Sequence, residues 1–374
     1  MKKLIYALLL GLLIFSACST APAAQEPTAP AHAEPAATVA DSAQPQIIVV
    51  DALGREVTLS HPPARIVVTG RGFTLILDAV YMFPEAPARI AAMGDSNQGN
   101  GNFISRIDPG FDQKMILQTD AGAEQIAAAN PDLVIFKSYL AESVGKSVEA
   151  LHIPVLYVDF ETPEQYTRDL AILGKVFQNE ARAKELAEYY LNGVGRIQAA
   201  LEEDIEKPRV LMLYYSEKDG AVAFNVPPLS WIQTRMVELA GGEPVWGSAN
   251  LSNGWTVVTL EQIAAWDADR IFIISYQKNS AEIAAALKSD PQWQALRAVK
   301  QNHLYGFPAD FYSWDQSDSR WILGLSWLAA QLHPKSFPQY DPLAEVQQFY
   351  QQMYGLNAEF VAAEIQPVFR GDLP

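Results

Sequence analysis

Arg71 stands between Gly70 and Gly72, just after the apolar run Arg65–Thr69 and just before a helical apolar pattern. At such a place the free backbone N–H groups and the helix dipole already favour an anion. A guanidinium adds a planar fork that suits a carboxylate, a phosphate or a metal oxyanion; the plainer reading is a solvated loop arginine. Tyr139, Tyr215 and Tyr276 each follow a short apolar run, and Tyr312 and Trp314 come after the last one. Ligands of α/β sheets gather at the carboxyl ends of strands. These six residues are therefore the candidate ligand contacts, against the plainer reading that the aromatics pack sheet edges and core. Trp231 and Trp255 are further aromatics within reach of such a site, though packing suits them better.

Other chemistry finds less support. The chain has no Gly-x-Ser-x-Gly elbow, no His-Glu-x-x-His pair and no Ser-x-x-Lys with a partner set. Its five histidines, His32, His61, His152, His303 and His333, are isolated from one another, which makes a bare zinc or manganese site a poor bet. Cys18 is the only cysteine, so an intramolecular disulfide, a thiolate nucleophile and a thiolate metal site are all excluded. The expectation is capture without chemistry: no catalytic residue, no protein-ligated metal and no cofactor, with an exported enzyme as the remote alternative. The net charge of −16 argues against nucleic acid and against an anionic membrane surface.

The elements that would position these residues are legible in outline. Met1-Lys2-Lys3 and the apolar stretch Leu4–Phe15 form a signal segment too short for a comfortable membrane span. Residues 1–17 are assigned to the signal peptide and 18–46 to an Ala/Pro-rich tether unable to pack. The next stretch reads as a small hairpin, then strands alternating with helices, about four of them parallel, in an N-terminal α/β lobe over 47–160. Residues 161–206 are connecting helices, the second running from Asn179 to about Ile205 and long enough to traverse both lobes. A C-terminal α/β lobe fills 207–374, with a strand at Arg209–Leu213, a loop to Pro228 and a helix from Ser230. Glu124–Tyr139 aligns without a gap on Glu261–Tyr276 as helix end, Asp-bearing turn, apolar strand and Ser-Tyr. The fold class is thus two Rossmann-like α/β lobes joined by one long α-helix, with the ligand cleft between lobes. Tyr139 and Tyr276 would be counterparts across it.

Several segments resemble the substrate-binding lipoproteins of ABC importers for iron–siderophore complexes, haem or cobalamin. They are Asp51–Leu59 with Pro63–Val68, Glu124–Ile135, Leu239–Glu243 with Thr259–Ile263, and Tyr312–Asp315 with Ser319-Arg320 and Leu323–Leu328. Phe15-Ser16-Ala17-Cys18 resembles a lipobox, which implies acylation of Cys18 and anchoring to the outer side of the cell membrane. The resemblance implies an extracytoplasmic monomer that delivers a chelated ferric complex to a permease with its ATPase subunits. Molybdate, tungstate or cobalamin are the alternative ligands, the first two favoured by Arg71 and the polar Asn97–Asn102 loop. Glu243 matches the family's permease-docking acid of the C-lobe, whereas Asp95, Asp112 and Asp120 all remain open for the N-lobe. Two departures stand out: Arg71 where small polar residues are usual, and Asp318 where the family commonly has proline before Ser-Arg.

Overall fold

The computed structural model describes residues 46–95, 98, 100–201, 206–249 and 253–373. The signal segment, Cys18, nearly all of the tether, Asn97 and the end of the long helix at Ile205 lie outside the described residues. The chain opens with the antiparallel pair β1 (Ile47–Val50) and β2 (Glu56–Leu59). Asp51 organises their turn by accepting from the backbone N–H groups of Leu53 and Arg55.

The N-lobe sheet holds β3 (Ile66–Val68), β4 (Ile90–Gly94), β5 (Met115–Leu117), β6 (Leu133–Lys137) and β7 (Val155–Val158). All pair in parallel, in the order β5-β4-β3-β6-β7. β3, β6 and β7 are buried along their whole length, as a parallel sheet covered on both faces requires. β5 is a fifth strand beyond the four expected. Its Met115 and Ile116 lie exposed on the sheet edge, so it lacks the buried neighbours that make an inner strand conspicuous. α1 (Phe73–Val80) follows β3 after the Gly70–Gly72 turn.

α2 (Pro163–Phe177) starts at Thr162, whose hydroxyl accepts from the Gln165 N–H. α3 (Glu180–Ala200) is the long helix, capped by the Asn179 side chain. Its 21 residues reach about 31 Å. Gly193 is needed where this helix crosses the C-lobe, since a Cβ there would come within 2.8 Å of Ile322.

The C-lobe sheet comprises β8 (Arg209–Lys218), β9 (Ala221–Val226), β10 (Glu243–Pro244), β11 (Thr256–Val258), β12 (Arg270–Ile274) and β13 (Leu304–Gly306). Its order is β11-β9-β8-β12-β13, with β10 also on β8. The expected loop after Leu213 is instead a hairpin: β8 runs on to Lys218 and returns as β9. Asp219 and Gly220 turn it, both with left-handed φ (52° and 82°), the chemistry of a two-residue hairpin. α4 (Ile232–Leu239), α5 (Leu260–Trp266), α6 (Ser280–Ser289), α7 (Trp321–Leu332) and α8 (Pro342–Tyr354) complete the chain's longer helices.

The internal repeat is structural as well as sequential. Its turns place Asn130 (φ 49°) and Asp267 (φ 43°) at equivalent left-handed positions. Arg65 donates to the carbonyls of Ala129 and Asn130; Arg209, at the matching place, donates to that of Trp266. The carboxylates of Asp132 and Asp269 accept from the backbone N–H of those same arginines. Each half thus ties the start of its central strand to the turn before the next one.

Candidate functional site

In the N-lobe, the end of β3 leads through Gly70, Arg71 and Gly72 into α1. Both glycines have positive φ (84° and 74°), and a Cβ on Gly72 would come within 2.7 Å of the Tyr139 hydroxyl. Tyr139 follows β6 and donates that hydroxyl to the Arg71 carbonyl at 2.8 Å. Its ring and the Arg71 side chain are exposed. Lys137, the last residue of β6, is buried; its ammonium pairs with Glu161 at 2.5 Å and donates to the Asp159 carbonyl. Lys137 is a buried cation beside the candidate contacts that sequence reasoning missed. Its counterpart in the repeat is Ile274, so it reads as one more strand position.

In the C-lobe, four half-buried aromatic rings form one wall. Tyr214 stacks on Tyr276 (4.7 Å between centroids, 28° between planes) and lies 5.0 Å from Trp255. Trp255 meets Trp231 edge-on at 5.6 Å. Tyr276 is where the repeat places it, but Tyr215 is not part of this wall. Because β8 continues, its successive side chains alternate between faces. Tyr214 therefore joins the wall, while Tyr215 packs on Phe224 over the opposite face, in a groove bordered by Trp293 and Lys278. The Asp-Gly turn was the signal in the sequence that could have revealed this.

The segment 307–320 joins the two walls. Asp315 is fully buried and accepts from the Tyr276 hydroxyl and the Gln233 amide, both at 3.0 Å. Burial pushes its carboxyl up to about 6, against the pull of hydrogen bonds from Ser313, Gln233 and Tyr276. The next residue, Gln316, exchanges two amide hydrogen bonds with Gln98 of the N-lobe (3.0 and 2.8 Å). Ser317 then donates to the second oxygen of Glu161 at 3.1 Å. Three consecutive residues thus connect the aromatic wall to the Lys137–Glu161 pair.

Tyr312 and Trp314 belong to the same segment but lie inside the protein rather than on a wall. Trp314 is fully buried, its indole N–H on Asp310 at 3.1 Å, and Tyr312 lies against the Arg320 guanidinium. They are drawn inward by a buried charge cluster that no local pattern announces. Glu243 sits exposed on β10, 3.8 Å from Arg209.

The 307–320 segment thus bridges the two α/β sheets, with Arg71, Tyr139 and the Lys137–Glu161 pair on the side of one and the aromatic wall on the side of the other. The chain belongs to the periplasmic binding protein family, whose model matches residues 94–311, more than half of its length. An extracytoplasmic location follows from that membership, and among the described residues no helix is long and apolar enough to cross a membrane. Among curated proteins it is similar to the molybdate-binding protein MolA of Haemophilus influenzae, with 20% identity over 95% of this chain and 96% of that one. It is also similar to the Fe(3+)-citrate-binding protein YfmC of Bacillus subtilis, with 24% identity over 68% and 76% of the two chains. Among solved structures, a periplasmic solute-binding protein of Veillonella parvula superposes with TM-score 0.70 at 22% identity, covering 86% of this chain and 97% of that one. Molybdate-bound MolA gives 0.67 at 19% identity, over 83% and 98%. Both superpositions bear out the two-lobed α/β fold.

Proposed function

We propose that the protein captures a chelated ferric complex, of siderophore or haem type, and delivers it to the permease of an ABC importer. The observation that carries this reading is the wall of Tyr214, Trp231, Trp255 and Tyr276. Four ring faces give a large, rigid contact area for the organic body of a chelator. A small tetrahedral oxyanion calls instead for a close ring of N–H and O–H donors. Arg71 and Tyr139 on the other lobe would take the anionic groups of the complex. Cys18 would carry the lipid, residues 18–46 the tether, and Glu243 on its exposed strand would dock on the permease, with the protein acting as a monomer.

Molybdate is the second reading, supported by similarity to MolA along nearly the whole chain. Titration of purified protein with ferric citrate, a ferric catecholate, a ferric hydroxamate, haemin and molybdate decides between them. Quenching of Trp231 and Trp255 fluorescence by a ferric chelate at micromolar concentration, with no response to molybdate, supports the first reading. Tight molybdate binding with silence toward every iron complex overturns it.

A further inference from the structure

Arg320 is fully buried together with three carboxylates, Asp78, Asp310 and Asp318. Asp78 lies on α1, the helix that begins at the Arg71 turn. The other three lie on the segment that carries Asp315, Gln316 and Ser317. The guanidinium ion-pairs closely with Asp78 through Nη1, reaches Asp310 at 2.6 Å through Nε, and lies 3.4 Å from Asp318. Phe103 and Tyr312 shield it, with ring centroids 4.6 and 5.1 Å from its central carbon.

One cation cannot balance three buried anions, and an uncompensated charge in such a place is costly. Asp310 is the best solvated of the three, since it also accepts from Tyr350 at 2.6 Å and Trp314 at 3.1 Å. Asp78 has its close ion pair with Arg320 but keeps its other carboxylate oxygen without a hydrogen-bond partner, and Asp318 lies farthest from the cation. One of its oxygens takes the Arg320 backbone N–H at 2.7 Å, and the other has only the long contact to Nη1. The groups facing the cluster from the surrounding helices are Tyr166 of α2, Tyr190 of α3, and Tyr350 and Tyr354 of α8. Burial raises all four phenols well above their ordinary range, so they stay neutral and offer no countercharge. Burial likewise raises Asp318 well above the usual carboxyl range, Arg320 opposing it and Asp78 and Asp310 adding to it.

We propose that this cluster is a proton-dependent latch between the lobes, in which Arg320 and Asp318 are positioning residues for the cleft. With the Asp318 carboxyl protonated, the cluster carries one cation against at most two anions and holds α1 to the 307–320 segment. When that proton leaves to solvent, a further buried negative charge repels Asp78 and Asp310. The strain is relieved by separating α1 from the segment, which moves the Arg71 turn away from the Asp315-supported aromatic wall. The effect on a ferric chelate rests on the proposed function; the latch itself is read without ligand.

The test is thermal unfolding of the ligand-free protein between pH 6.5 and 9, wild type against Asp318→Asn. The wild type should lose stability as pH rises, because a carboxyl raised in the folded state gives up its proton there only at higher pH. Asn mimics the protonated acid, so the variant should melt higher at pH 8.5 and show a flat profile. An unchanged slope in the variant overturns the latch. Titration of 13C-labelled aspartate carboxyls in the wild type gives an independent reading that needs no variant. At least one carboxyl should remain protonated well above the ordinary carboxyl range, and ionisation of every carboxyl within that range would also sink the proposal. For binding, ferric-chelate affinity should weaken severalfold from pH 6.5 to 8.5 in the wild type and hold in Asp318→Asn. A confirmed latch in a protein that ignores ferric chelates would refute only the ligand reading, and chelate binding with a flat wild-type melting profile would refute only the latch.

Discussion

The Tyr276 hydroxyl donates to the buried Asp315 carboxylate at 3.0 Å, and through that bond the aromatic wall is fixed to the segment that also holds the N-lobe. Tyr276 is stacked on Tyr214 in turn, so one hydrogen bond sets the attitude of two rings.

Asp315 is raised by burial from an ordinary value of 3.8 to about 6. Its stabilising contribution is therefore complete below about pH 4 and is lost as pH rises through 6, an effect of about 3 kcal/mol at most. Asp78, raised to about 6 mainly by burial, titrates in the same window. The wild type should lose melting temperature from pH 4 to 6.5, and Asp315→Asn should lose roughly half as much. Calorimetric scans across that range check this, and equal losses in both proteins would refute it.

Trp255→Ala should weaken ligand binding by about 1–2 kcal/mol, some five- to thirtyfold, because it removes the ring that touches Trp231, Tyr214 and Tyr276. Tyr215→Ala, one face away on the same hairpin, should leave affinity unchanged. Isothermal titration of the two variants compares them; equal losses would mean that the wall is misassigned.

Arg71→Ala should weaken binding of an anionic ligand at least tenfold, about 1.4 kcal/mol, with little change in stability since the side chain is exposed. Calorimetric titration measures it, and unaltered affinity would remove Arg71 from the site.

Gly72→Ala forces a side chain into a left-handed backbone (φ 74°) and onto the Tyr139 hydroxyl. A loss of about 1–2 kcal/mol is expected, with binding weakened further as Tyr139 is displaced. Urea unfolding gives the first number; a variant as stable as wild type would contradict it.

The sequence carried the scaffold well because the scaffold is locally encoded. Asp132 and Asp269, the two left-handed turns and the apolar strands all lie within the aligned segments, and Arg65 and Arg209 stand at the start of the apolar run that forms each half's central strand. What escaped depended on contacts far away in the chain. The outer half of β8, Tyr214–Lys218, is half-buried at its start and exposed at its end, so no apolar alternation marked it as strand. The choice of Tyr215 over Tyr214 followed from ending that strand too early. Tyr312 and Trp314 stand where aromatics often meet ligands, but Arg320 and Asp310 pull them inward. Lys137 could be recognised only once Glu161, after the next strand, had been brought beside it.

The matched ties and turns of the two halves lie at the strand starts, while at the strand ends the Ser-Tyr pair is kept but Lys137 on one side answers to Ile274 on the other. A shared chassis with unlike jaws has a handedness. On the proposed function, an occupant with a charged end and a flat body would seat in only one of its two orientations and would be presented the same way round each time.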